Sequence, residues 1–185
     1  MLILPLIAAS CLSFKDQIFL LPAKKEIWLF WGAGAYVALN LFVYDFKNIY
    51  VFGKSWIDKV LTFFKPAGYV IPVYSLALIV VYAVFSLLGR AGSVQPYFLF
   101  AIAFTLAMHL VLTAHEIYES DSSLLKAHYL ITFGAVLIVN LIIISLLFAW
   151  AISEYSLIGF IKSLASQTSH LYKLIYKIFF IDSSV

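Results

Sequence analysis

Charge is what this chain has least of. Only 11% of its 185 residues are Asp, Glu, Lys or Arg, against roughly a quarter in a soluble domain. That scarcity excludes an ordinary water-facing globule and leaves little room for a separate soluble domain. Cysteine is almost missing. Cys11 stands alone, so neither an internal disulfide nor a thiolate metal cluster can form within one chain. The formal net charge is +3, and no basic cluster is dense enough to favour nucleic acid. Basic residues in such a chain meet lipid headgroups instead. There is no glycine-rich phosphate loop, no Ser-His-Asp order and no pair of carboxylates inside an apolar run. The sequence signals for nucleotide binding and for the familiar hydrolases are therefore absent.

What is present is apolar: 64% of residues are hydrophobic and 18% aromatic. A helix crosses a bilayer core of roughly 30 Å with about 20 mainly apolar residues. Several runs qualify, which predicts an integral membrane protein of all-α class, a polytopic transmembrane helical bundle. Spans are expected near residues 1–21, 26–44, 68–89, 96–118 and 124–152. The first run carries no positive charge ahead of it, which favours a span over a secretory signal. Gly34 and Ala38, four apart in the second, share a helix face that lets backbones approach closely. Residues 45–67 read as an interfacial or re-entrant connector, and ESDSS between the last two spans as a tight hairpin. Residues 1–152 thus form the transmembrane domain and 153–185 a tail.

The tail has a different pattern. Leu157, Ile161, Leu164, Thr168, Leu171, Ile175 and Ile178 follow a 4-3-4-3 spacing, one apolar stripe of a helix. Lys162, Ser166, Ser169, Lys173 and Lys177 lie on another face. This predicts an amphipathic C-terminal helix lying in the headgroup plane or docked on a partner helix. Basic residues divide five against seven between the two sides of a five-span chain, a weak orientation signal that favours a cytoplasmic tail.

Candidate chemistry gathers in the fourth expected span. Thr105, His109, Thr113 and Glu116 fall on one helix face, and an ionisable residue within a span normally faces protein or a water cavity. This polar stripe reads as a pathway, a ligand site, or a set of side chains bonded to a neighbouring helix. His115 aligns with Glu119 four residues on. Across the hairpin, His115 lies six residues before Asp121 and His128 seven after it, so the two imidazoles reach a similar depth. His115, Glu119 and His128 form a candidate site for a divalent metal, or the two histidines for haem. HEIYE, residues 115–119, has Glu119 where the H-E-x-x-H zinc motif needs its second His. Asn140 stands alone in the last span, where it can bridge helices.

The stretch IYVFGKSWIDKV, residues 49–60, interrupts the apolar pattern with Lys54, Asp58 and Lys59. Trp56 and the lysines suit a headgroup zone. The same stretch carries a resemblance. In the site-2-protease class of intramembrane metalloproteases an apolar helix runs into a segment similar to Tyr50-Val51-Phe52-Gly53, followed at once by H-E-x-x-H. Here those five positions read Lys54, Ser55, Trp56, Ile57, Asp58. KPAGYVIPVYSLALIVVYAVF resembles a shortened glycine-rich and Pro-Tyr segment of that class. FAIAFTLAMHLVLTAHEIYESDSSLLKAHYLITF, with the span after it, resembles its later hairpin. The resemblance covers residues 26–150. It implies a degenerate relative, because zinc hydrolysis needs imidazole ligands and a carboxylate base: Lys54 is a cation at the first ligand position, Ser55 cannot act as the base, and Asp58 could ligate but alone holds no zinc.

The resulting expectation is a non-catalytic accessory or scaffold subunit of a membrane complex, without a cofactor and in a bacterial inner membrane. Its partners are the lipid bilayer and other membrane protein subunits, with no nucleic acid. The alternatives are a metal- or haem-binding subunit using His115 and His128, and a small transporter or channel component lined by the polar stripe.

Overall fold

Backbone groups buried in an apolar surrounding must be satisfied within their own segment, and the helix does this. The computed structural model describes residues 3–63, 67–120 and 126–180, with side chains except at 67, 120, 126–129 and 179–180. Among the described residues it is all-α, with no strand. The helices are α1 (Ile3–Phe19), α2 (Ala23–Phe42), α3 (Lys47–Val60), α4 (Ala67–Val70), α5 (Val73–Leu87), α6 (Ala91–Ser120), α7 (Lys126–Ala151) and α8 (Leu157–Phe180).

Among the described residues, two stretches are long and apolar enough to cross a membrane, Ala91–Glu119 and Leu130–Ala151. They match the last two expected spans. A third arises only if α2 and α3, bent by 117° at their junction, count as one broken span. The reasons are local. Lys24, Lys25 and Glu26 occupy the first turn of α2, leaving Ile27 to Phe42 as its apolar part. At 1.5 Å per residue, the 15 residues of α5 extend only about 22 Å. Pro72 separates α5 from α4, because proline removes a donor and is tolerated at a helix start. The α6 helix begins a full turn before the expected boundary and carries Pro96 inside it.

By contacts the chain divides into two compact units, Pro22–Val136 and the combination of Met1–Leu21 with Leu137–Val185.

In the first unit α2 and α6 run side by side in the same direction. Trp28 meets Tyr97 with ring centroids 6.1 Å apart, and two turns further on Tyr36 meets Phe104 edge-on at 5.5 Å. Between them, Gly32 lies where an added Cβ would run into the Phe100 carbonyl oxygen. Gly34, by contrast, has nothing within 4 Å of its Cβ position. The close approach expected at Gly34 and Ala38 is therefore made by Gly32, which lies on nearly the opposite face of the same helix from Gly34. Helix α5 runs antiparallel to α6, with Ser75 opposite Thr105 and Tyr82 stacked on Phe98 at 4.1 Å. Tyr36, Tyr50, Met108 and Leu112 form one buried cluster of the core, with Phe46, Tyr74, Phe104 and Ala107 packed against it.

In the second unit α1 packs along α8. The buried residues of α1 include Pro5, Ala9, Ser13 and Gln17, four apart in series and mostly small, so the two backbones come close. Gln17 Oε1 would lie 2.8 Å from a Cβ on Gly159. Phe160 on α8 is fully buried. Phe148 on α7 meets Tyr155 edge-on at 5.7 Å, and the Tyr155 hydroxyl donates to Ser145 Oγ at 2.8 Å. Burial pushes the Tyr155 hydroxyl up to about 12.

The tail helix is amphipathic as its spacing predicts. Part of its apolar stripe is covered, and the chain's own first helix supplies a cover that the sequence reading omits. Leu157, Leu164, Thr168 and Leu171 are half-buried, whereas Ile161, Ile175 and Ile178 are exposed.

Candidate functional site

The charges of residues 47–60 have partners on α6. Lys47, Tyr50, Lys54 and Asp58 follow a 3-4-4 spacing, one ridge of α3. Thr105, His109, Thr113, Glu116 and Glu119 follow 4-4-3-3, one ridge of α6. The two ridges meet in a polar seam. Lys47 Nζ donates to Glu119 Oε2 at 3.0 Å, both side chains about half exposed. The Tyr50 hydroxyl and Thr113 Oγ1 are 2.9 Å apart, both buried. Lys54 Nζ forms an ion pair with Glu116 Oε1, with side chains only 14% and 29% exposed. Lys54 also lies over the Tyr69 ring, 3.8 Å from its centroid, a cation–π contact that strengthens where water is excluded.

The short α4 segment closes the seam. Asp58 Oδ1 accepts from the Gly68 backbone N–H at 3.2 Å, and Gly68 is packed so tightly that a Cβ there would strike the Lys54 stem. His109 Nε2 donates to the Tyr69 carbonyl at 3.1 Å. Because a carbonyl only accepts, the proton sits on Nε2. Thr105 Oγ1 donates back to the Ala101 carbonyl at 3.1 Å and meets Ser75 Oγ at 3.0 Å. The Tyr74 hydroxyl donates to the Ile49 carbonyl at 2.5 Å. A cavity of about 10 Å³ remains among Tyr50, Lys54, Tyr74, Thr105 and His109, space for about one water molecule.

All four residues of the expected stripe, Thr105, His109, Thr113 and Glu116, therefore have protein partners within the same unit. Two cations, Lys47 and Lys54, pair with two anions, Glu119 and Glu116, while Asp58 is held by a backbone N–H. Of the three residues that the sequence places after Tyr50-Val51-Phe52-Gly53 in place of a zinc motif, Lys54 and Asp58 tie α3 to its neighbours, and Ser55 is exposed.

Of the candidate metal residues, His115 Nε2 and Glu119 Oε1 come together at 3.2 Å. The other oxygen of Glu119 already holds Lys47. His128 stands in the first turn of α7, and its side chain lies outside the described residues. Among the described residues no group of three or more His, Cys, Asp and Glu side chains is placed to hold a metal. Asn140 is fully buried in α7.

The sequence reading missed Tyr50, Tyr69, Tyr74 and Lys47. The 3-4-4 ridge of α3 was a usable signal for Lys47 and Tyr50. Nothing local marks Tyr69, which acts through its ring and its carbonyl.

Helices long and apolar enough to span, with polar side chains paired with one another inside the chain, are those of an α-helical membrane protein. No protein-family profile, no curated protein and no solved structure matches it.

Proposed function

We propose that the chain is a non-catalytic accessory or scaffold subunit of a membrane complex, a degenerate relative of the intramembrane metalloproteases in a bacterial cytoplasmic membrane. The observation that carries this reading is the Lys54–Glu116 ion pair. It fills, with a mutually neutralised pair, the helix face where the resembling class holds its metal ligands. A cation engaged by a carboxylate neither binds zinc nor activates water. Apolar side chains stand outward instead, among them Phe30, Trp31, Leu41 and Phe42 on α2 and Ile158, Ile161 and Tyr176 on α8. Large exposed apolar surface in a membrane chain contacts lipid or other subunits.

The test is composition. The chain is purified from its native membrane by mild extraction and its co-purifying proteins are identified at stoichiometry by native mass spectrometry. A defined partner is expected, lost in an Ile158→Lys, Ile161→Lys double variant that changes only exposed positions of α8. A wild-type chain that is monomeric and partner-free in native membranes overturns the reading.

A further inference from the structure

A groove opens on the outer side of the parallel α2–α6 pair. It measures about 510 Å³ and is lined by Lys24, Ile27, Trp28, Trp31 and Phe100, within the range of small-ligand sites. Four of these five side chains are apolar. The charge is at one end, since Lys24 lies in the first turn of α2 while Trp28 and Trp31 lie one and two turns further in. Tyr97, against Trp28, extends the aromatic wall and is well exposed.

The parallel register sets which charges share that end. Trp28 pairs with Tyr97 and Tyr36 with Phe104, so the start of α2 and the start of α6 lie on the same side. Lys24, Lys25 and Arg90 therefore gather there, with Glu26 the only acid in the first turn of either helix. Tryptophan and tyrosine favour the headgroup level, and lysine reaches from there to anionic phosphate. A cationic rim at the start of α2 and an aromatic and apolar trough beyond it, shared by α2 and α6, match a lipid molecule end to end.

We propose that this groove binds one anionic phospholipid of the surrounding bilayer, its phosphate at Lys24 and an acyl chain along Ile27, Trp31 and Phe100. The proposal rests on the membrane-protein class and not on the accessory-subunit reading.

The full chain in neutral detergent is given equal phosphatidylglycerol and phosphatidylcholine, and retained lipid is counted by native mass spectrometry. Wild type is expected to prefer phosphatidylglycerol by about fivefold or more, the effect of one lysine at a lipid surface. Lys24→Gln lowers that preference towards parity while the protein keeps its melting temperature. Trp31→Ala lowers retention of both lipids. Lys59→Gln, an exposed charge on α3 outside the groove, leaves the preference unchanged. Equal retention by wild type overturns the proposal, as does an equal loss in Lys24→Gln and Lys59→Gln. So does a photo-crosslinker at position 31 that captures a second copy or another protein and no lipid.

Discussion

Lys54 and Glu116, 62 positions apart in sequence, form one partly buried ion pair that fastens α3 to α6. Between helices in a bilayer there is little hydrophobic driving force, so hydrogen bonds, ion pairs and close packing decide which surfaces meet. This contact gives α3, an otherwise weakly apolar helix, a fixed seat on the unit.

The first prediction follows directly. Lys54→Met leaves the Glu116 carboxylate without its cation and is expected to cost on the order of 3 kcal/mol. Adding Glu116→Gln restores most of that loss, because both charges are then gone. A double-mutant cycle by denaturant titration in mixed micelles should give a coupling of about 1–3 kcal/mol. Additive effects within error would show that the two side chains do not interact.

Two glycines two residues apart should behave oppositely. Gly32→Ala drives a methyl into the Phe100 carbonyl, which is backbone and cannot swing away, so a loss of about 1–3 kcal/mol is expected. Gly34→Ala meets open space and gains about 0.5–1 kcal/mol from restricted unfolded-state freedom and better helix propensity. Thermal unfolding of the two variants in the same detergent reads the difference in sign.

A third prediction concerns metal. Wild type purified without chelator is expected to carry no stoichiometric zinc or haem, and His115→Ala with His128→Ala should leave its metal content and absorption spectrum unchanged. The triple substitution Lys54→His, Ser55→Glu and Asp58→His sets two imidazoles four residues apart on one face of α3. It should gain close to one zinc per chain, measured by plasma mass spectrometry. A folded triple variant that binds none would remove the geometric basis of the metalloprotease resemblance.

The fourth concerns α1. Removing residues 1–21 uncovers the face of α8 that holds Gly159, which Gln17 of α1 packs against. Limited proteolysis should then cut within Leu157–Phe180 at a markedly higher rate, while fragments from Pro22–Val136 keep their wild-type pattern. Unchanged cleavage would mean that α1 does not cover the tail.

Periodicity made the all-α class legible, because apolar runs of this length admit little else. It also made the α6 ridge legible, since Thr105, His109, Thr113 and Glu116 repeat at the helical period. What it could not give was the identity of the partners. Tyr69 reaches His109 through its carbonyl, and a carbonyl carries no sequence signature. The choice between Gly32 and Gly34 depended on the rotation of α2 against α6, which small residues two apart do not determine. The tail stripe was readable, but its cover came from the opposite end of the chain. Of the five expected spans, two helices are long and apolar enough to cross among the described residues, or three with the bent α2–α3 pair; α5 has only 15 residues.

The 62 residues that separate Lys54 from Glu116 also set a schedule. Synthesis proceeds from the N-terminus at about 5–20 residues per second, so Lys54 exists for several seconds before its counter-ion is made. An unpaired lysine is costly in hydrocarbon and is drawn to the headgroup zone. During that interval the unpaired Lys54 keeps α3 at the membrane surface. Docking of α3 is thus a late step of biogenesis, and a ribosome paused before residue 116 would leave this helix at the lipid–water boundary.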